Sequence, residues 1–346
     1  MNMKIMDFRS DTVTKPSEEM RRIMACAEVG DDIYGDDPSS NALSKYAAEL
    51  TGKEAAIYTC SGTMGNLLAF LSAGRHGESL LAGKRSHIWN AEVGGFSAVA
   101  GLCPYPLNDD EGIPKVEDIA PANRADNNIH HPDTTILCLE NTHNYTGGIA
   151  VSPKRFAEVA REGHRLGFHV HLDGARIFNA SVYYGVDVTE FTKEVDSVQF
   201  CLSKGLGAPM GSMLCGSHEF IEKAKKARKR VGGAQRQLGI VASAGLFALE
   251  NNIPRLSEDH ANAKLLCELL VKGGVSVEEV PNMTNMVFFP MLENYPLDEL
   301  FVSACKERGL LLNALSPRRI RLVTHLDVNR EDVERTASII LEVISQ

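Results

Sequence analysis

Two residues capable of covalent or proton chemistry each follow a short apolar segment of the sequence. Lys204 comes shortly after SVQFCL (197–202), Asp173 comes directly after FHVHL (168–172), and a glycine follows each of them. A lysine at the end of a strand either extends its amine to solvent or offers it as a nucleophile. An aspartate there either caps the next helix or contacts a ligand, because open α/β sheets bind ligands at the carboxyl ends of their strands. Neither residue alone decides between these interpretations.

A third candidate is the stretch SGTMGN (61–66), which stands between a strand-like segment and a helical one. Small residues at such a junction let backbone N–H groups and a helix N-terminus approach a phosphate, although similar turns are common without a ligand. The glycines after Lys204 do not form a second phosphate motif. Gly211 is misplaced for G-x-G-x-x-G, no lysine precedes Ser212, and a strand-like segment follows instead of a helix. We therefore expect these glycines to let the backbone lie close to a bound group.

A histidine and a basic run each allow two interpretations. His87, in KRSHIWNAE, is either a structural residue or a flat ring that lies against an aromatic cofactor. The run KKARKR (225–230) is typical of a solvated helix face, unless its cations serve a bound anion.

The combination of these features indicates a pyridoxal phosphate site. Lys204 would attach the cofactor aldehyde as a Schiff base, Asp173 would pair with the pyridine nitrogen, and residues 61–66 would bind the phosphate. A carboxylate beside the ring nitrogen favours its protonated form, typically by ~1–3 pK units, so that the ring can withdraw electrons. Lys204 is catalytic in this interpretation.

The pattern of elements around these residues predicts an α/β fold with a mainly parallel central sheet, because short apolar segments alternate with longer helical ones. Strands are predicted at 55–59, 79–83, 134–140, 168–172, 197–202 and 212–216. Helices are predicted at 65–73, 152–167 and 234–250, and another begins at Pro254. Strands near 275–280, 284–289, 310–314 and 319–324 and a closing helix at 329–344 predict a small α+β unit.

The chain is accordingly predicted to form two domains. Residues 16–252 would be the large cofactor-binding domain and residues 253–346 the small C-terminal domain, with the segment 1–15 packing near the active site. The polar stretch 108–133 is predicted to be a surface excursion between strands.

Composition excludes several classes of partner. The 346 residues carry 36 Lys and Arg against 45 Asp and Glu, a formal net charge of −9, which gives no basis for binding nucleic acid or a membrane surface. No apolar run approaches the roughly 18–20 residues that span a bilayer, and the N-terminus lacks the apolar core of a signal peptide. The eight cysteines form no C-x-x-C pair, so we predict no disulfide framework, no metal site and a cytoplasmic location.

Eight segments spread along the chain resemble the low-specificity L-threonine aldolases, which have an aspartate-aminotransferase-like fold of type I. These segments are FRSDTVTKP (8–16), GDDIYGDDP (30–38), SGTMGN (61–66), LENTHN (139–144), LDGARIFNA (172–180), SKGLGAPMGS (203–212), GGAQRQ (232–237) and RLVTHLDV (321–328). The resemblance implies a pyridoxal phosphate-dependent lyase. Such an enzyme cleaves L-threonine, L-allo-threonine and related β-hydroxy-α-amino acids to glycine and an aldehyde.

The resemblance also implies a role for each matching residue. The cofactor-binding residues would be Gly62, Thr63, His87, Asp173, Arg176, Lys204, Lys229 and Arg236. Lys229 and Arg236 would reach the phosphate of a neighbouring subunit, in a homodimer or homotetramer with shared active sites. The substrate would contact Ser10, Tyr34, Arg176 and Arg321, and the catalytic residues would be Lys204, His87, Asp173 and His130. Ser10 and Arg321 would grip the substrate carboxylate, which suits an Arg fork.

The sequence leaves several of these points open. Arg319 shares a strand face with Arg321, so spacing cannot choose between them, and the ring of His131 competes with that of His130. The base that takes the β-hydroxyl proton could be His87, His130 or an ordered water.

Ala91 departs from the family pattern, since members often carry an aromatic residue at this position. We therefore expect more room beside the substrate's β-substituent.

Two other functions would also suit parts of this pattern. β-Elimination or transamination would keep the fold and cofactor but change the bond that is broken. A cofactor-free scaffold on this fold would be expected to lack Lys204 or Asp173, and both are present.

Overall fold

The computed structural model describes residues 4–124, 128–291, 298–315 and 318–345. The strands are β1 (Met6–Asp7), β2 (Ala55–Thr59), β3 (Ser79–Gly83), β4 (Cys103–Leu107), β5 (Thr134–Glu140), β6 (His169–Asp173), β7 (Ser197–Cys201), β8 (Ser212–Gly216), β9 (Met286–Pro290), β10 (Leu310–Leu311), β11 (Asn313–Leu315) and β12 (Arg319–Val323). The helices are α1 (Glu18–Ala25), α2 (Pro38–Thr51), α3 (Gly62–Ala73), α4 (His87–Asn90), α5 (Gly95–Ala98), α6 (Val116–Ala122), α7 (Pro153–Arg165), α8 (Ile177–Tyr184), α9 (Thr189–Thr192), α10 (His218–Arg230), α11 (Gly239–Asn251), α12 (Leu256–Lys272), α13 (Asp298–Glu307) and α14 (Arg330–Ile344). A short 3₁₀ helix spans Asp11–Val13.

A seven-stranded sheet forms the centre of the fold, in the order β2-β8-β7-β6-β5-β3-β4. The strands from β3 to β7 run parallel to one another, whereas β8 is antiparallel to both of its neighbours, β2 and β7. β2 therefore runs in the same direction as β7, and every strand of this sheet except β8 ends at one edge. The predicted α/β fold with a mainly parallel sheet is confirmed.

Most of the predicted strands of this sheet have the predicted bounds, whereas β6 is shifted by one residue towards the C-terminus and β7 ends one residue earlier. β4 is an addition that the sequence pattern did not suggest, because CPYPL contains two prolines. Proline cannot donate to a sheet ladder and is tolerated at sheet edges. Within the described part of the chain β4 pairs with β3 alone, at the edge of the sheet, which explains how it forms.

Local capping explains where two helices of the site region begin and end. The Ser152 hydroxyl accepts from the Arg155 N–H at 3.3 Å, Pro153 occupies the first position of α7, and Gly167 after it has a φ of +82°. α3 begins at Gly62, three residues before its predicted start, because the Ser61 hydroxyl accepts from the Met64 N–H at 3.1 Å.

A second, smaller sheet of order β11-β12-β9 lies in the C-terminal part, packed with α12, α13 and α14. β1 joins this part of the molecule by pairing in parallel with β10, so Met6 and Phe8 belong to its apolar core. The predicted division between residues 252 and 253 falls between α11 and α12, and it stays a prediction.

The strand predicted near 275–280 is wrong. This segment is irregular in the structure, although the Glu278 N–H donates to the Phe288 carbonyl at 2.8 Å. Pro281 follows it and has no N–H to continue a ladder.

No helix in the described part of the chain combines the length and the apolar character needed to cross a membrane.

Candidate active site

Neighbouring strands of the central sheet bring polar side chains to one edge. Asp173 is the last residue of β6, Lys204 follows β7, and His87 follows β3 as the first residue of α4. These strands are parallel, so their carboxyl ends meet at the same edge. A cavity of about 200 Å³ lies there. It is lined by Thr12, Ser61, Gly62, Thr63, His87, Glu92, Asp173, Ala175, Gln199, Cys201, Ser203 and Lys204.

Asp173 is a buried carboxylate whose surroundings favour ionisation. Its Oδ2 accepts from Asn66 Nδ2 at 3.0 Å, and its Oδ1 accepts from the Ala175 N–H at 3.1 Å. Burial raises the pKa of Asp173, but the nearby charges of His87 and Lys204, together with hydrogen bonds, outweigh burial and hold this pKa below its ordinary value. The N-cap position of α8 belongs to Arg176, so Asp173 does not serve as the cap of that helix.

The first residues of α3 form another wall of the cavity. The N–H groups of a first helical turn lack partners within the helix and carry partial positive charge, which suits a phosphate. Gly62 is required because a Cβ there would lie 2.8 Å from Cys201 Sγ. Gly62 thus lets α3 begin close against β7.

The glycines in the loop after β7 pack against the protein. A Cβ at Gly205 would lie 2.8 Å from Leu256 Cδ2, and a Cβ at Gly211, where φ is +100°, would overlap the ring of Tyr58. For these two glycines the expected contact with a bound group stays a prediction. Crowding by neighbouring side chains explains them.

His87 lies half-buried in the cavity wall. Its backbone N–H donates to Glu140 Oε2 at 2.6 Å, and its Nδ1 lies 2.9 Å from Glu92 Oε1. Burial lowers the pKa of His87, but the hydrogen bond to Glu92 and the charge of Asp173 outweigh it, so the pKa lies above its ordinary value. The ring is therefore placed to contact a ligand or to exchange a proton with it.

The structure distinguishes the two arginines that the sequence could not separate. Arg319 donates to both carboxylate oxygens of Glu278 at 2.7 Å and lies 4.1 Å from the centre of the Phe288 ring. Arg321 donates to Asn144 Oδ1 at 3.3 Å, and its buried Nε has no hydrogen-bond partner. Among the described residues no carboxylate pairs with Arg321. Arg321 thus has capacity left for a carboxylate ligand, and Arg319 does not.

Ser10 follows Arg9, a residue that Arg321 contacts in the folded structure. Arg321 Nη2 donates to the carbonyl of Arg9 at 3.2 Å. The Ser10 hydroxyl accepts from the N–H of Thr12, a residue that lines the cavity, at 3.2 Å. The segment before the 3₁₀ helix therefore connects Arg321 with the cavity.

Arg176 is occupied by a partner that the sequence did not suggest. Its Nε and Nη2 donate to the two carboxylate oxygens of Asp11 at 2.7 and 2.6 Å, and both side chains are buried. Burial raises the pKa of Asp11, but Arg176 outweighs it and holds this pKa well below its ordinary value. Contact of Arg176 with the cofactor and substrate stays a prediction.

Seven predicted site residues do not line this cavity of their own chain. They are Ser10, Arg176 and Arg321, described above, and Tyr34, Lys229, Arg236 and His130. Tyr34 and Lys229 line a separate cavity of about 520 Å³. Arg236 is exposed and lies 3.0 Å from Asp31 Oδ2, and His130 is exposed in the polar stretch. The run KKARKR lies at the end of α10, with its lysines exposed as a solvated helix face requires.

Sequence reasoning missed the polar residues that support the site. These are Asp11, Asn66, Glu92 and Gln199. Gln199 is the register partner of Asp173 in the parallel sheet and donates to it at 2.5 Å. Such a pairing depends on the register between neighbouring strands, and the residue pattern along one strand does not predict that register. The alternation HVHLD is a partial signal, since it puts His171 and Asp173 on one face of β6.

The ligand-type atoms of His87, Glu92 and Asp173 all lie within 4.8 Å of one another, a spacing that a metal ion could also use. Asn66 Nδ2 donates to both carboxylates, at 2.8 Å to Glu92 and 3.0 Å to Asp173. An N–H group between the two carboxylates disfavours a cation there, so we assign these residues to the cofactor pocket.

Comparison with known proteins agrees with this geometry. Residues 7–292 match the beta-eliminating lyase family. The chain is 42% identical to low-specificity L-threonine aldolase 1 of Arabidopsis thaliana over 98% of this chain and 96% of that protein. It is 44% identical to low specificity L-threonine aldolase of Escherichia coli K12, over 96% and 98% of the two chains. A solved structure of a Leishmania major threonine aldolase superposes with a TM-score of 0.83 at 18% identity, covering 98% of this chain and 99% of that one.

The fold and the site define a pyridoxal phosphate enzyme of fold type I. The residues present fit the cofactor, because Asp173 is a carboxylate held towards its ionised form for the ring nitrogen, Lys204 supplies the amine, and the N-terminus of α3 faces the cavity at Gly62 and Thr63. The chain belongs to the beta-eliminating lyase family and, within it, to the low-specificity L-threonine aldolases.

Proposed function

We propose that this enzyme cleaves L-threonine, L-allo-threonine and related β-hydroxy-α-amino acids to glycine and an aldehyde. The observation that carries the proposal is the single cavity lined by Lys204, Asp173 and His87, in a chain 42–44% identical to low-specificity L-threonine aldolases. Bound pyridoxal phosphate supplies an electron sink for the bond that breaks.

We assign a different role in this reaction to each of the following residues. Lys204 would hold the cofactor through its amine, and Asp173 would keep the ring nitrogen protonated. Arg321, with Ser10 beside it, holds the substrate carboxylate. Binding of the carboxylate by these residues would orient the Cα–Cβ bond for cleavage. The aldehyde then leaves and Cα takes up a proton to give glycine.

A base must take the β-hydroxyl proton as the Cα–Cβ bond breaks, a contribution worth ~10²–10⁴-fold in rate. Of the two candidate histidines, His87 lines the cavity and His130 does not line it in the same chain. We therefore propose His87 as the base within one chain, and His130 would have to act from another subunit.

The function is tested by comparing three substrates with the purified protein. L-Threonine and L-allo-threonine are expected to release acetaldehyde, and L-tryptophan is expected to release no indole. Release of indole at a comparable rate would favour the β-eliminating alternative.

We further propose that the active site is shared between subunits of a homodimer or homotetramer. The support is that Tyr34, Lys229, Arg236 and His130, which match site residues of the family, lie outside the cavity of their own chain. A phosphate at a helix N-terminus gains from added cationic donors, and subunit boundaries are common places for such pockets.

Mixing two inactive variants tests this shared site. Lys204→Ala and Arg236→Ala subunits are partly unfolded together and reassembled. In a mixed dimer one site has both intact residues, so about a quarter of wild-type activity is expected, since half of random dimers are mixed and one of their two sites is intact. The ion pair of Arg236 with Asp31 is exposed, so its loss should hardly affect stability.

A matched control uses two defects that belong to the same cavity. Mixing Lys204→Ala with Asp173→Asn subunits leaves one defect in every site, so no activity should return. If the Lys204→Ala and Arg236→Ala mixture also recovers nothing, Arg236 acts within its own chain and the shared site is wrong.

Ala91 gives a prediction about substrate range. It ends α4 beside Glu92 and is exposed, so an aromatic side chain there has room to extend. Ala91→Tyr should lower kcat/KM for β-phenylserine at least about tenfold more than for threonine, because a filled pocket rejects the larger substituent. Ala91→Ser is the control and should change neither value. Equal losses on both substrates would show that position 91 does not face the β-substituent.

We also propose a cytoplasmic location. All eight cysteines are free thiols, and Cys138, Cys201, Cys215 and Cys305 are buried as small apolar side chains. This usage suits a reducing compartment.

A further inference from the structure

Glu92 is a buried carboxylate beside the proposed base. It follows α4, its side chain is 4% exposed, and it lines the cavity. Its Oε1 accepts from Asn66 Nδ2 at 2.8 Å and lies 2.9 Å from His87 Nδ1. Burying a carboxylate is unfavourable unless it is paired and hydrogen-bonded. The position of Glu92 therefore calls for a role that uses its contact with the imidazole.

The orientation of the Asn66 amide is fixed by its neighbours. Its Nδ2 must be the donor nitrogen, because both groups that it faces, Glu92 and Asp173, are carboxylates. Its Oδ1 then accepts from His171 Nε2 at 3.0 Å. Burial lowers the pKa of His171 to about 3, so this ring is neutral and carries one proton, on Nε2.

The chain of hydrogen bonds continues away from the cavity. With its proton on Nε2, His171 accepts through Nδ1 from the Ser197 hydroxyl at 2.8 Å. The Ser197 oxygen also lies 2.8 Å from His169 Nε2, from which it accepts a hydrogen bond. The donor and the acceptor of each hydrogen bond from His169 to Asn66 are thus defined. Asn66 acts as a donor towards both Glu92 and Asp173.

Burial and the charge of Asp173 raise the pKa of Glu92, and the hydrogen bonds with His87 and Asn66 oppose this rise. In its ionised form, Glu92 can accept from both Asn66 and His87. The proton of a neutral His87 then lies on Nδ1, and Nε2 keeps its lone pair. We propose that Glu92 is a positioning residue that holds His87 through Nδ1, so that Nε2 is the free nitrogen that accepts the substrate's β-hydroxyl proton. This inference rests on the proposed function for the identity of the proton, and on geometry alone for the pairing.

Other charged groups also face His87 and must be considered in any test. Asp173 and Glu140 raise the pKa of His87, whereas burial and the charge of Lys204 lower it. The test must therefore remove the Glu92 charge while leaving these three side chains in place. Glu92→Gln does so, because glutamine has the same shape and still offers an oxygen to Asn66.

The experiment measures the pKa of His87 directly. The full-length protein is treated with diethyl pyrocarbonate, which modifies unprotonated imidazole, over a range of pH, with and without pyridoxal phosphate. The extent of modification of the His87 peptide is followed by mass spectrometry. We expect the pKa of His87 to fall by about 1–3 units in Glu92→Gln. The acidic limb of kcat/KM should move to lower pH by the same amount, and kcat should fall with KM for threonine little changed.

Three controls keep the result specific. His164, on the surface beside Asp196, should be modified equally in all variants. Glu279→Gln removes one exposed negative charge elsewhere and should leave the His87 pKa unchanged. Glu92→Asp keeps the negative charge, so the pKa of His87 in this variant should stay close to its wild-type value.

The outcome is decisive for the pairing whether or not the enzyme is active. An equal His87 pKa in wild type and Glu92→Gln would overturn the proposal, since it would mean that no ionised carboxylate acts on Nδ1. A lowered pKa in a protein that does not cleave threonine would uphold the pairing and reject the proposed function instead.

Discussion

Replacing Lys204 by alanine is expected to abolish turnover, with kcat lowered by at least about 10³-fold, while the protein stays folded. The amine is the group that attaches the cofactor, and no other lysine lines the described cavity. Among the described residues the Lys204 side chain makes no hydrogen bond or ion pair that alanine would break, since it is the backbone carbonyl that accepts from Thr14 Oγ1 at 3.0 Å. The variant should therefore stay folded, with at most a slightly lower unfolding temperature, because the Lys204 charge favours ionisation of the buried Asp173.

The measurement combines kinetics with mapping of the cofactor. Borohydride reduction of wild type should add the mass of the reduced cofactor to the peptide that contains Lys204, and the variant should show no such peptide. Lys193→Ala, which removes an exposed lysine paired with Glu190, is the control and should keep both signals. Wild-type turnover in Lys204→Ala without an added amine would reject the assignment.

Asp173→Asn is expected to lower kcat by about 10–10³-fold, since a neutral amide gives up the ~1–3 pK units by which a carboxylate favours the protonated ring nitrogen. The structure adds a second reason. Asn66, Gln199 and the Ala175 N–H all donate to this carboxylate, so the NH₂ group of an asparagine would face at least one donor. We therefore expect weaker cofactor binding as well.

Steady-state kinetics at saturating cofactor separate the two effects on Asp173→Asn. A kcat within a few-fold of wild type would show that Asp173 acts only on the backbone turn. Asp187→Asn is a suitable control, because the Asp187 carboxylate lies on the surface and accepts from the N–H and hydroxyl of Thr189.

The fold was largely predictable because its signals are local. Apolar runs of strand length alternate with helices that carry local start signals, such as Ser152 as the N-cap and Pro153 as the first residue of α7. These signals predict an α/β sheet without any tertiary information. Prediction was wrong at 275–280, and it missed β4, because edge position and ladder partners decide whether such segments form strands.

The site was predictable where chemistry needs a particular residue at a strand end. Lys204, Asp173 and His87 were singled out, and the structure brings all three to one cavity. Asn66 and Glu92 were not, because their roles depend on hydrogen bonds between segments that meet only in the fold. The choice of Arg321 over Arg319 also needed the structure, since the contacts of Arg319 with Glu278, and the unpartnered Nε of Arg321, separate two arginines on one strand face.

The central claim is that the cavity of Lys204, Asp173 and His87 cleaves the Cα–Cβ bond of a β-hydroxy-α-amino acid. The most direct test is to incubate the enzyme with L-threonine in D₂O and to identify the products of the first turnovers by NMR. The account predicts equal amounts of acetaldehyde and glycine, with one deuterium on the glycine Cα, because cleavage leaves that carbon to take up a proton from the solvent. Formation of 2-oxobutanoate and ammonia in place of glycine would contradict it, because a different bond would then have been broken.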